Sequence, residues 1–353
     1  MKRMGWCCLF LGCFVSSMGA AQVKARELPP GFPPQAGSIT LDVNVTNARG
    51  IPVTGLGQQD FTLLDNGKPA AIRSFKFVDG AGSAAHSPVM ILLIDEVNAS
   101  FYEISPMRVL LEDYLRRNQG RLPVPVQLAF LTDKGVKAMH EPTRNGNELA
   151  AILQKQPVYL RALGQHSGFY GAFERMEMSL QALHTIAGNQ VKTPGRKVLV
   201  WISPGWPMME FPGTQVTPSF RQRVFEIGAN LSAWLIASQM TVDSVDPIGP
   251  IDANDFLNTE WRGYLSPMLN ARDATSGKLA LPVLATHSGG LVLAGSNNVA
   301  GEIAECAAEA ESWYQITFAP QHAEQGLVWH ALRVEVDRPG VKVRTRNGYY
   351  AEP

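Results

Sequence analysis

The sequence predicts an α/β fold: a mainly parallel sheet with helices on both faces, inserted in or flanked by a β-sandwich-like domain. Three observations predict it. Uninterrupted apolar runs, VMILLI, LAFL and VLVWI, have the character of strands buried on both faces, as the central strands of parallel sheets are. Helical patterns alternate with these runs between about residues 86 and 312, which implies right-handed βαβ crossovers. Strands of alternating apolar and polar residues stand before and after this stretch. Neither flank holds enough strands to close a core alone, so the two are expected to pack together.

The elements follow in order. Residues 1–21 form a signal peptide: basic Met1-Lys2-Arg3, apolar Trp6 to Val15, then small residues from Ser16 to Ala21. The apolar core is too short to span a membrane. Leu11-Gly12-Cys13 resembles a lipoprotein box, but too little apolar sequence precedes it. The expectation is export to the periplasm, the envelope or the exterior, with no transmembrane segment after cleavage. Cleavage would remove Cys7, Cys8 and Cys13 and leave Cys306 as the one cysteine, so no intramolecular disulfide is expected. Cys306 reads as a small buried residue of a helix.

Residues 22–37 are a proline-rich linker. An N-terminal β segment occupies 38–85. In it Ile39, Leu41, Val43 and Val45 alternate, and Asp65-Asn66-Gly67 is a hairpin turn. The α/β domain occupies 86–312. Its first strand ends at Asp95, and its first helix is predicted from Ser105 to Asn118 with Ser105 as N-cap and Pro106 at the first helical position. A C-terminal β segment, 313–353, closes the chain and is expected to pack with 38–85.

Composition excludes some functions. The 31 basic and 31 acidic residues balance to zero, which leaves no electrostatic footprint for nucleic acid. Neither a Gly-x-Gly-x-x-Gly loop nor a Walker sequence occurs. The Cys and His residues lack zinc-site spacing. Ser203, after a buried strand, is the nearest thing to a nucleophile. No Gly-x-Ser-x-Gly elbow surrounds it, and Pro204 removes an amide donor. The chain is therefore expected not to be an enzyme.

Several stretches carry a family likeness: VTGLGQQDFTLLDNGKP, ILLIDEVNASF, GRKVLVWISPGWP, VDSVDPIG, ATHSGG, WYQITFAP and RPGVKVRTRNGYYA. In order and spacing they resemble the von Willebrand factor A (VWA)-related proteins abundant in acidobacteria, over about residues 38–351. The resemblance implies a VWA, Rossmann-like domain and export. It also implies a place to look for a divalent cation, because metal-binding A domains use an Asp-x-Ser-x-Ser loop after the first strand. Asp95 matches the Asp. Val97 and Ala99 stand where the serines would be, while Asn98 and Ser100 each come one residue late. His166-Ser167 stands near the place of a second-loop Thr, and Ser203-Pro204-Gly205 where a third-loop Asp-Gly would be.

The expectation is a degenerate metal-ion-dependent adhesion site with no cofactor. A shifted loop presenting Asp95, Asn98 and Ser100 to Mg²⁺, Mn²⁺ or Ca²⁺ is the alternative. Asp243 and Asp246 are candidates to join Asp95 at the sheet edge if their strands are neighbours, Asp246 before Pro247 otherwise shaping a turn, and Glu96 reads as a solvated loop residue. The segment after Ser203 holds Trp206, Met208, Met209 and Phe211 among prolines and glycines. Such side chains are enriched at partner-binding surfaces. They are predicted, with Ser203, to form an interaction loop for a protein partner, with 255–269 as a second aromatic insertion beside it.

Overall fold

The computed structural model describes residues 33, 37–80, 87–138, 140–156, 168–206, 217–247, 260–294, 296 and 298–352. The predicted leader, nearly all of the linker, His166-Ser167, and Met208, Met209 and Phe211 lie outside the described residues.

The N-terminal flank supplies β1 (Ile39–Thr46), β2 (Phe61–Asp65), β3 (Lys68–Pro69) and β4 (Ile72–Asp79). β2 and β3 form a hairpin through Asn66 and Gly67, at φ 49° and 76°. This left-handed pair matches the right-handed twist of the strands it joins. β3 stops after two residues. The chain then changes sheets, and β4 lies in the other layer.

The central region runs β5 (Val89–Asp95), α1 (Phe101–Arg116), β6 (Arg121–Thr132), β7 (Gly135–Ala138), β8 (Thr143–Asn145), α2 (Gly146–Lys155), α3 (Gly168–Gln190), β9 (Lys197–Ile202), α4 (Pro218–Ala237), β10 (Met240–Val245), α5 (Leu281–Ser288), β11 (Val292–Leu293) and α6 (Val299–Glu311). The strands form one sheet in the order β11-β10-β9-β5-β6-β7, with β8 also paired to β6. Pairing is parallel from β11 to β6 and antiparallel for β7 and β8. Alternate residues of each strand face opposite sides. Met90, Leu92, Ile94, Val198, Val200 and Ile202 form a core with α1, α2 and α6. The other face receives α3, α4 and α5.

α1 begins earlier than the Ser105 cap predicts. Its N-cap is Ser100, and the Glu103 carboxylate accepts a hydrogen bond from the Ser100 amide. Ser100-x-x-Glu103 is a capping-box spacing. It starts the helix before Pro106, which lies inside it.

The C-terminal flank contributes β12 (Ser312–Phe318), β13 (Val328–Val336), β14 (Lys342–Arg344) and β15 (Gly348–Ala351). Two four-stranded sheets result, β14-β1-β12-β4 and β15-β13-β2-β3, each mixing strands from both ends of the chain. Their inner faces share a core that includes Leu41, Val43, Phe61, Leu63, Tyr314, Ile316, Phe318 and Tyr349. The Tyr314 hydroxyl, deep in that core, accepts from the Leu56 amide (3.1 Å) and donates to the Val53 carbonyl (3.0 Å). A buried phenol is thereby satisfied at both roles. A mainly parallel sheet sheathed by helices, flanked by a β-sandwich, is the fold class the sequence predicts.

Charged groups fasten the sandwich to the helical layers. Arg344 of β14 pairs with Glu309 of α6 and donates to the Gly289 carbonyl (2.9 Å). Asn44 of β1 donates to the Glu309 carbonyl at 3.1 Å and to its carboxylate at 3.2 Å. Arg196, just before β9, lies over the Trp313 ring at 5.1 Å and donates to the same Glu309 carbonyl.

Candidate functional site at the carboxyl edge of the sheet

Counted from β5, the principal strands stand in the order 3-2-1-4-5-6, with the third antiparallel. Strand order reverses between β5 and β9. In open α/β sheets the crevice outside the carboxyl ends of such strands is where ligands bind. Asp95 ends β5 at this point. The parallel register pairs Leu93 with Trp201 and Ile94 with Ile202, so Asp95 comes level with Ser203. Alternation puts Trp201 and Ser203 on the face that Asp95 occupies.

Asp95 is fully buried. Its Oδ1 accepts from the amides of Val97 and Asn98, both at 2.9 Å. Its Oδ2 accepts from Asn98 Nδ2 at 2.8 Å, and from Trp201 Nε1 and Ser203 Oγ at 2.9 Å each. Five donors therefore converge on a carboxylate whose lone-pair capacity is about four. The Trp201 indole N–H is a donor only and cannot coordinate a cation.

Of the other proposed ligands, Asn98 is held through its amide nitrogen and Ser100 stands at the N-cap of α1. Asn98 Nδ2 bridges to Ser179 Oγ of α3 at 2.8 Å. Asn98 Oδ1 is buried with no hydrogen-bond partner among the described residues. A hard divalent cation wants about six oxygen ligands. Side chains bound into a hydrogen-bond net fit that demand poorly. No cluster of three or more His, Cys, Asp or Glu residues suited to a metal occurs among the described residues.

Two residues of the expected interaction loop, Ser203 and Trp206, fall among the described residues, and both are buried. Ser203 is buried; its hydroxyl donates to Asp95 and accepts from the Gly205 amide at 3.0 Å. Trp206 is only 5% exposed. Its ring meets Trp201 edge-on at 5.4 Å between centroids, and its Nε1 donates to the Leu279 carbonyl at 3.1 Å. Its apolar bulk packs against Trp201, and its N–H has the acceptor that a buried indole needs.

Two further readings change, at Asp243 and Glu96. Asp243 does not join Asp95. It lies on the other face of the sheet, hydrogen-bonded to the Leu291 amide at 2.8 Å and next to Cys306. Burial pushes its carboxyl up, against the Leu291 amide and the charges of Arg344 and Arg196. Asp246 stands at the end of β10 near Glu302 of α6. Burial first, and then Asp246 and Glu305, push the Glu302 carboxyl up to about 7. Glu96 is buried rather than solvated, with Arg108 Nη1 3.9 Å from its carboxylate. His287 contacts the sandwich: its Nδ1 is 2.9 Å from Asn347 Oδ1, and burial lowers its pKa.

The sequence held one signal for the site that was missed. A Trp in an apolar strand brings an indole N–H that needs an acceptor, and Trp201 lies two residues before the level of Asp95, on the same face.

No protein-family profile matches the chain, and no curated protein matches it significantly. Solved structures do match. Human COPII-coat protein Sec24c matches at 11% identity and TM-score 0.31, over 75% of this chain and 44% of that one. The VWA domain of SpRpn10 matches at 10% identity and TM-score 0.31, over 62% of this chain and 93% of that one. The pilus adhesin SpaC of Lactobacillus rhamnosus GG matches at 8% identity and TM-score 0.36, over 86% of this chain and 42% of that one. The chain thus spans less than half the length of Sec24c and of SpaC. These structural neighbours include a VWA domain and an adhesin.

Proposed function

We propose that this chain is an exported, non-enzymatic VWA-related protein of the kind abundant in acidobacteria, and that it recognises a protein partner without a metal ion. The observation that carries the metal-free part is the five-donor shell of Asp95. A metal-dependent adhesion site keeps its carboxylate oxygens for the cation and leaves a coordination position for the partner's acidic group. Here the Val97 and Asn98 amides hold Asp95 Oδ1, and Asn98, Trp201 and Ser203 hold Oδ2. The site then works as a rigid post: it fixes the 95–100 loop to β9 and, through Asn98 and Ser179, to α3. Recognition falls to the loops that this post supports.

Calorimetric titration with Mg²⁺ and Mn²⁺ tests the reading. The expected result is no saturable heat and no rise in melting temperature up to about 10 mM metal, a concentration at which any useful site would fill. Saturable binding that is lost in Asp95→Ala would restore the ion-dependent alternative. Crosslinking in the native host, followed by identification of the captured protein, tests the partner. Persistent failure to capture any protein, in the presence or absence of metal, would count against recognition.

A further inference from the structure

At the opposite edge of the sheet from Asp95, a groove of about 1200 Å³ opens between the end of α1, the start of β6, β8 and the last turns of α6. Its charge is unbalanced. Arg117, Arg121 and Arg144 line it against one acid, Glu311. Arg144 is already committed: it donates to the Pro123 carbonyl, reaches the Gly80 carbonyl and Ser87 Oγ at 3.4 Å each, and offsets Glu311 electrostatically. Arg121 is exposed and has no side-chain partner among the described residues. Arg117 makes one long contact, 3.5 Å to the Ala300 carbonyl. Two guanidinium forks therefore face the groove with most of their donors unused.

Two more features belong to the same wall. The Tyr114 ring lines the groove and is 5% exposed, and its buried hydroxyl has no hydrogen-bond partner among the described residues. Leaving such a group unmet costs about 1–3 kcal/mol. Asn118 and Gln119 follow, both left-handed, at φ 50° and 61°. Non-glycine residues in this region carry strain of about 1–2 kcal/mol each. Gly120 continues the turn at φ 78°, and the Asn147 side chain holds it by donating to the Gln119 carbonyl at 3.0 Å. The turn sets two exposed amide side chains beside the arginines.

We propose that this groove binds a small oxyanion-bearing molecule, a phosphate ester or a carboxylate, with Arg117 and Arg121 on the anion. Planar guanidinium groups match both oxyanions with paired N–H···O bonds. The volume leaves room for a polar body beyond the anion, and Asn118, Gln119 and Asn145 are placed to hydrogen-bond it.

Calorimetry with inorganic phosphate and with citrate tests the proposal on the full chain. Saturable binding of at least one is expected. Phosphate preference points to the ester and citrate preference to the carboxylate. Arg121→Ala and Arg117→Ala should each weaken that binding about tenfold, the loss expected for one charge-assisted hydrogen bond. Arg338→Ala, on an exposed turn of the sandwich, should leave it unchanged. Melting temperatures of the variants establish that each is folded. The proposal is overturned if neither ligand saturates below about 10 mM, or if Arg338→Ala weakens binding as much as Arg121→Ala.

Discussion

At the scale of single residues, Asp95 and Glu302 show two carboxyls treated oppositely by one sheet edge. Asp95 is buried among five donors, so its charge is matched. Asp95→Asn keeps the shape but turns one acceptor oxygen into an NH₂ facing donors. It should cost about 2–3 kcal/mol, the cost of several buried donors left unmet. The loss should appear as a lower urea midpoint at unchanged m-value; an unchanged midpoint would show that the net carries no stability. Glu302 is the reverse case. Its carboxyl is pushed from 4.5 up to about 7 by burial and then by Asp246 and Glu305, and its Oε2 has no hydrogen-bond partner among the described residues. The folded chain therefore keeps a proton that the unfolded chain releases. The stabilisation is fully present below pH 4.5 and is lost as pH rises through 7. Glu302→Gln should remove that slope and raise stability above pH 7 by about 1 kcal/mol. Parallel pH–stability curves for variant and wild type would refute it.

At the scale of elements, the strands and helices were largely legible because their signals are local. β5 is apolar up to Asp95 and β9 after Lys197, and α1 carries its capping box at Ser100 and Glu103. What was not legible depends on pairing. Trp206 reads as a partner-binding residue only if no acceptor lies near it, and the Leu279 carbonyl comes from 73 residues further along the chain. Likewise, the face that Asp243 takes depends on the β9–β10 register, which pairs it with Val200. The end of α5 shows how tightly such distant pieces close. Gly289 caps that helix at φ 85°, and a Cβ there would stand 2.5 Å from the backbone of Thr345 and Arg346. Backbone on both sides cannot give way as a flexible side chain could. Gly289→Ala should therefore cost more than the roughly 1 kcal/mol of left-handed strain alone, about 2–4 kcal/mol in all. Thermal unfolding measures it, and a loss below about 1 kcal/mol would mean that the sandwich moves freely away from α5.

At the scale of the whole molecule, strands from the two ends of the chain are interleaved, so neither sandwich sheet can form from one flank. β1 pairs with β12 and β14, β4 with β12, and β2 with β13. The same strands carry the charges that meet the helical layers. Arg344 and Glu309 form the main ion pair, with Asn44 and Arg196 on the same glutamate. Nearby, burial lowers Lys197 to about 8 and Arg346 to about 10, with Asp42 opposing both shifts. A junction built from partly desolvated charges is weakened more by removing one partner than it was strengthened by having both, because the remaining charge keeps its desolvation cost. Arg344→Met should therefore destabilise by about 2 kcal/mol, less than a fully buried pair because both side chains retain some solvent. It should also loosen the coupling between the layers. In the wild-type chain, urea unfolding followed by circular dichroism and by tryptophan fluorescence is expected to give coincident transitions. In Arg344→Met the two should separate, the sandwich strands unfolding before the helix-sheathed sheet. An unchanged midpoint with coincident curves would show that the apolar contacts between the layers, and not these charges, bind the molecule into one unit.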